Sequence, residues 1–273
     1  MVQFRASSNS VASAIDGGTH QSIARLDLLL SVLAREPRRG LRLSEVTEAS
    51  GLGRATTHRL LSGMVAYGLA DLDAENGRYR VGFKVFSWGC SVAHRFGLLP
   101  LATPYLQALA DRFQDVVYLS VRSGNEVVCV DRLVGNFPIK SLAFNVGDRR
   151  PLGIGAGAVA VLAALSLPDR DRSLTETRQA RQAFPISDKD VRAITATAAK
   201  NGYAVVDGKI VQGVCTIGVA IVANTGQPVG AISVSAIKER MTKARRTEIA
   251  AALMSDAHAI GGRVGLVASD KKD

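Results

Sequence analysis

Apolar residues recur at helical spacing from about the twentieth position. Residues 22–36 place Ile23, Leu26, Leu30 and Leu33 on one face, with Ser22 as a suitable N-cap. Pro37, Arg38, Arg39 and Gly40 then break the pattern. The stretch SEVTEASGLGRATTHRLL, residues 44–61, predicts two short helices over 44–50 and 53–67 with a tight turn between them. Gly51 stands where a helix ends best in the left-handed conformation, which glycine adopts without a Cβ clash. Leu60, Leu61, Met64 and Val65 mark the buried stripe of the second helix. The three helices are expected to pack around Leu26, Leu30, Leu33, Val46, Leu52, Leu60 and Leu61. The period then switches to two. Residues 69–73 and 78–81 flank Asn76-Gly77, a strong hairpin signal. Three helices followed by a hairpin make a winged helix–turn–helix. Residues 83–96 read as an apolar connecting helix.

Beyond Leu99 the pattern mixes α and β. A helix is predicted over 101–113, strands over 116–122 and 126–133 around Ser123-Gly124-Asn125, and a third strand over 138–145. A glycine-rich loop leads into an Ala/Val/Leu helix within 146–165, and 167–200 is helical and charged. Strands follow at 203–206, 214–222 and 229–236, then a closing helix over 239–260. Hairpin connections dominate, so the fold class is α+β with a largely antiparallel sheet flanked by helices. The layout is an arm (1–20), a winged helix–turn–helix (21–82), a linker helix (83–98), a second domain (99–267) and a tail (268–273).

The 273 residues suffice for two domains, and 47% hydrophobic content with 5% aromatics rests the cores on Ala, Val, Leu and Ile. No apolar run reaches the length of a membrane span and the N-terminus has no apolar block of signal-peptide type, so cytoplasmic residence is expected. Cys90, Cys129 and Cys215 are far apart and form no metal-binding spacing, so neither a metal nor a cofactor is expected. Net charge is +10, which favours a polyanionic partner. The first 82 residues hold 10 basic and 8 acidic residues, so the excess does not sit there. The placement of particular arginines says more. Residues 53–67 contain Arg54 and Arg59 and no acid. Arg54, Thr56, Thr57, His58 and Arg59 are the candidate contacts to double-stranded DNA, because arginine pairs bidentately with guanine and hydroxyls bond bases or phosphates. Arg78 and Arg80 place two further cations on the hairpin, where a wing meets the DNA backbone.

In the second domain Gly153, Gly155 and Gly157 precede the Ala/Val/Leu helix. Such a loop either points backbone N–H groups at an anion, or only permits close packing of helix on sheet; both readings stay open. A dinucleotide fingerprint is disfavoured, because Asp148-Arg149-Arg150-Pro151 stands where a buried strand is needed. Gly155, Ala156, Gly157, Asp207, Thr216 and Ser233 are the candidate effector contacts, with Tyr118, Ser120 and Ser235 as further polar positions on apolar strands. The four histidines, His20, His58, His94 and His258, show no triad-like spacing with a nucleophile, so the chain is not read as an enzyme.

SIARLDLLL, GLGRATTHRLL, NGRYRVG, VGDRRPLGIGAG, NGYAVVDG and GVCTIGVAI appear in the order seen in the IclR family of bacterial transcription regulators. The chain resembles that family over nearly its whole length after residue 20. The resemblance implies a linker helix, a GAF-like C-terminal sheet, a small organic acid as effector (aromatic acids included), a homodimer or homotetramer, and palindromic operators. The histidine and lysine common in the family's glycine-rich loop fall here on Gly153 and Val159, so the ligand does not carry over. An alternative stays open, a small-molecule-binding enzyme or sensor whose helical N-domain binds protein.

Overall fold

The computed structural model describes residues 20–36, 39–93 and 97–264, the side chains of 90–93 excepted. Residues 1–19 of the expected arm, the tail, Pro37, Arg38 and His94 lie outside the described residues. The chain divides into two compact units, Met1–Arg95 and Phe96–Asp273.

The first unit runs α1 (Gln21–Leu33), β1 (Leu41–Arg42), α2 (Leu43–Ser50), α3 (Arg54–Ala66), β2 (Ala70–Asp73), β3 (Arg78–Val81) and α4 (Phe83–Ala93). Helix α1 starts behind His20 and has no side-chain cap, so Ser22 lies inside it rather than at its N-cap. Its buried stripe is Leu29, Val32 and Leu33; Leu26 and Leu30 pack at the margin and Ile23 is exposed. The reason is that α1 packs on α2 and β3, which draws the Leu29 side inward. Gly51 ends α2 with φ 67°, as the turn requires. Strand β3 is central, in the order β1-β3-β2, with both pairings antiparallel. Tyr79 fills the core from β3. The hairpin turn is fixed by Asp73, whose carboxylate accepts from Glu75 N–H at 3.1 Å and Asn76 Nδ2 at 2.6 Å, while Gly77 takes φ 67°.

The second unit begins with α5 (Leu98–Phe113), three residues earlier than the periodicity suggests, with Pro104 inside it. Strands β4 (Val116–Ser123), β5 (Glu126–Val134) and β6 (Arg149–Pro151) follow. Next come α6 (Ala156–Ala163), α7 (Leu167–Glu176), α8 (Arg178–Arg181) and α9 (Asp188–Asn201). Strands β7 (Ala204–Asp207), β8 (Val214–Val222) and β9 (Pro228–Ile237) precede a short 3-10 turn (Lys238–Arg240) and α10 (Lys243–Gly261). The six strands form one antiparallel sheet in the order β6-β5-β4-β9-β8-β7.

Side chains alternate across this sheet. Val117, Leu119, Ile217, Val219, Ile232 and Val234 face α5 and α10 in one core. Val116, Tyr118 and Ala231 face α6 in another. Both faces are therefore covered, which explains the long apolar runs of β8 and β9. The expected third strand over 138–145 does not form. The carbonyls of Ser141, Ala143 and Phe144 accept instead from the side chains of Tyr118, Arg150 and Arg132. Strand β6, hidden in the glycine-rich stretch, takes the edge position beside β5.

Candidate functional sites

The first site is the outer surface of α3. Thr57, Leu61 and Met64 are its buried residues. At about 100° per residue, the side opposite that stripe carries Ala55, Arg59, Ser62 and Ala66. All four are exposed, as are Arg54 and His58 on one flank; Thr56 is half-buried on the other. Thr57 corrects the sequence reading. It is fully buried, one turn before Leu61, and its hydroxyl donates to Gly53 O at 3.1 Å. It belongs to the core stripe and is unavailable to DNA. Ala55 was not anticipated, although its position one turn before Arg59 is a legible signal.

The hairpin arginines are also committed within the unit. Arg78 donates through Nη1 to Gly40 O at 2.9 Å and to Glu45 at 3.1 Å. Glu45 in turn accepts from Arg42 N–H at 2.7 Å and pairs with Arg39. That backbone hydrogen bond, opposed by partial burial and reinforced by the two arginines, holds the Glu45 pKa below the ordinary carboxylate value. Arg78 thus ties β3 to the start of α2. Its guanidinium, expected from the sequence as a wing cation meeting DNA, is engaged within the unit. Arg80 pairs with Asp73 at 3.3 Å and remains partly exposed.

The second site is a cavity of about 50 Å³ beside α6. Its floor is a polar ridge across three strands. Tyr118 and Ser120 come from β4, Ser233 and Ser235 from β9, and Thr216 from β8. The register places Tyr118 opposite Ser233 and Thr216 opposite Ser235, and the Thr216 and Ser235 hydroxyls lie 2.9 Å apart. Ser120, Ser233 and Ser235 are buried among apolar residues, where a hydroxyl needs a partner.

The wall is the glycine-rich turn. Gly155 is the N-cap of α6 at φ 85°, ψ 156°, a conformation suited to glycine. Gly155, Ala156, Gly157 and Ala158 line the cavity. The first N–H groups of a helix have no acceptor within it and carry partial positive charge. Arg150 closes the site. Its guanidinium stacks on the Phe144 ring at 4.2 Å, and Nη2 donates to Ala143 O at 2.6 Å. Among the described residues no carboxylate forms a salt bridge with it. Burial draws its pKa down, while Tyr118 is pushed up to about 12 by burial and so keeps its proton. The site therefore holds one cation, several hydroxyl donors, a helix N-terminus and no lining carboxylate, which is the chemistry that receives a carboxylate.

Five of the six expected effector contacts, Gly155, Ala156, Gly157, Thr216 and Ser233, meet in this cavity. Asp207 does not. It follows Val206, which does line the cavity, and strand alternation turns it elsewhere. Its carboxylate accepts from Arg246 Nη2 at 2.7 Å and pairs with Lys238 at 3.5 Å. Arg150 was missed, because in sequence it reads as one of a charged pair before a loop. Only the β5–β6 pairing brings it over the cavity.

Two family models match the chain. The bacterial transcriptional regulator IclR C-terminal model covers residues 90–261, and the IclR helix-turn-helix domain model covers residues 22–74. Among curated proteins, the chain is 25% identical over 249 residues to the HTH-type transcriptional regulator KipR of Bacillus subtilis, spanning 90% of this chain and 98% of that protein. It is 28% identical over 254 residues to the transcriptional repressor IclR of Escherichia coli, spanning 91% of each. Among solved structures, it matches an IclR homolog from Microbacterium hydrocarbonoxydans complexed with 4-hydroxybenzoate. The TM-score is 0.71 at 20% identity, over 88% of this chain and 97% of that one.

Proposed function

The chain belongs to the IclR family of bacterial transcriptional regulators, with a DNA-binding helix–turn–helix and a C-terminal ligand-binding domain, and from that premise we propose that it binds a palindromic operator as a homodimer or homotetramer whose affinity a small organic acid adjusts. In this reading α3 enters the major groove. Arg59 and Ser62 meet base edges, the Ala55 methyl meets a thymine methyl, and Arg54, His58 and Thr56 meet phosphates or flanking bases. Arg80 approaches the backbone from the wing, and Arg78 positions that wing.

The observation that carries the effector half is Arg150, a cation that forms no salt bridge among the described residues and lines the cavity with a helix N-terminus and buried hydroxyls. An acid seated there shifts operator affinity if it binds two states of the protein unequally. The structural relative carrying 4-hydroxybenzoate supports an acid of this general kind. A mobility shift of the full chain with its own upstream intergenic DNA, titrated with salt and with carboxylic acids, tests both halves. A specific shift modulated by one acid is expected. Absence of any shift at low salt would overturn the regulator reading, since even nonspecific phosphate contacts register there.

A further inference from the structure

The acid site has a wall that is neither helix nor strand. Residues 138–144 make no backbone–backbone hydrogen bond among the described residues. This segment is held by side chains of the sheet. Tyr118 Oη donates to Ser141 O at 2.7 Å, and Arg150 Nη2 donates to Ala143 O. Arg132 Nη1 donates to Phe144 O at 3.5 Å and, just beyond the segment, to Asn145 Oδ1 at 2.9 Å. Phe144 is the segment's one buried anchor, set between the Arg150 guanidinium at 4.2 Å and the Tyr118 ring at 6.0 Å. Ile139 and Leu142 stand exposed on it.

Two of the three groups that latch this segment, Arg150 and Tyr118, line the cavity and are those that an acid in it needs. The cavity of about 50 Å³ holds a few waters. An apolar cavity that takes up benzene measures roughly 150 Å³. We infer that Ala143 and Phe144 form an internal plug. A ring-bearing acid displaces the plug, taking Arg150 from the Ala143 carbonyl and the Tyr118 face from the Phe144 ring. The segment then swings out with Ile139 and Leu142. Phe144 thereby sets the size of acid that binds, and the freed segment is the part of the domain that changes on binding. This rests on the reading of the cavity as an acid site.

Lys140 lies exposed in the segment and gives the test a direct readout. Tryptic cleavage of the full chain at the Lys140–Ser141 bond is followed by mass spectrometry, with and without 4-hydroxybenzoate. Binding is followed separately by thermal shift and calorimetry. Saturating acid is expected to speed this cleavage roughly fivefold or more, as loss of a hydrogen bond holding the segment would. Arg132→Ala, outside the cavity lining, is expected to speed it without acid. Phe144→Ala is expected to bind 4-hydroxybenzoate several-fold more tightly, because no plug has to leave; damage to the fold would weaken binding instead. Acid that binds while cleavage stays unchanged or slows overturns the plug and leaves the acid site standing. A protein stabilised by no acid overturns the acid site itself, and the Arg132→Ala arm then decides the latch alone. Unaltered cleavage in that variant overturns the latch.

Discussion

Gly218 of β8 lies directly beneath Ala156 at the start of α6. A Cβ at position 218 would stand 2.6 Å from the Ala156 carbonyl carbon and 2.7 Å from Gly157 N. Those atoms are backbone and cannot rotate away. The close approach is what brings the first turn of α6 down to the sheet. Gly218→Ala is expected to lower unfolding free energy by about 1–3 kcal/mol and to weaken acid binding as well. Urea unfolding and calorimetry on the same preparation check both effects.

Arg150→Gln shortens the side chain, keeps a polar amide and removes the charge. A charge-assisted hydrogen bond contributes about 1.5–3 kcal/mol, so acid affinity is expected to fall by about tenfold or more. Operator binding without acid should be retained. Acid affinity equal to wild type would remove Arg150 from the site.

Arg59 is exposed on α3 and forms no side-chain hydrogen bond or salt bridge among the described residues, so its truncation should leave the melting temperature unchanged. Arg59→Ala is expected to weaken operator binding by about 1–3 kcal/mol. Titrating salt in the mobility shift separates a base contact from a phosphate contact, because only the latter lowers the salt slope.

Arg78→Ala tests a different role for an arginine in the same unit. It loses the bonds to Gly40 O and Glu45, and is expected to destabilise the unit by about 1–3 kcal/mol. Weaker DNA binding should accompany that loss, through the displaced wing. Full stability in chemical denaturation would return Arg78 to the list of DNA contacts.

Asp207 predicts a pH effect. Burial raises its pKa, but the Arg246 hydrogen bond and the charges of Arg246 and Lys238 outweigh that, and the net shift is downward from the ordinary carboxylate value. The folded chain thus holds this proton more weakly than the unfolded chain does. The pair's contribution is fully present above pH 3.8 and is lost as pH falls through the lowered value. Asp207→Asn is expected to cost about 1 kcal/mol or less at neutral pH, and to flatten the acid limb of a stability–pH curve.

Local signals were legible where local chemistry decides the structure. Gly51 ends its helix in the left-handed conformation, and Asn76-Gly77 closes its hairpin because Asp73 and Asn76 bond the turn themselves. The antiparallel strands of β8 and β9 followed from long apolar runs around a turn. What tertiary contact decides was not legible. Thr57 reads as a polar surface residue but falls on the buried stripe. Residues 138–145 have strand-like composition, yet Tyr118 and Arg150 supply their partners and no ladder forms. Arg150 itself reaches the cavity only through a three-residue strand. Asp207 sits beside a cavity-lining residue, and strand alternation, with no face assigned, left its side undecided.

The strand order has a consequence for how the chain comes to be folded. Residue 116 pairs with residue 235, so β4, near the start of the second unit, sits against β9, near its end. Synthesis delivers β4 and β5 long before β8 and β9 exist. During that interval the unpaired edge of β4 offers Val116, Val117 and Leu119 to any strand that comes near. Contacts this distant in sequence also slow folding, since the loop must close before the pairing rewards it. The second unit is therefore expected to be the slow and aggregation-exposed part of the molecule, while the first unit, whose most distant strand pairing only joins Leu41 to Tyr79, is expected to fold sooner.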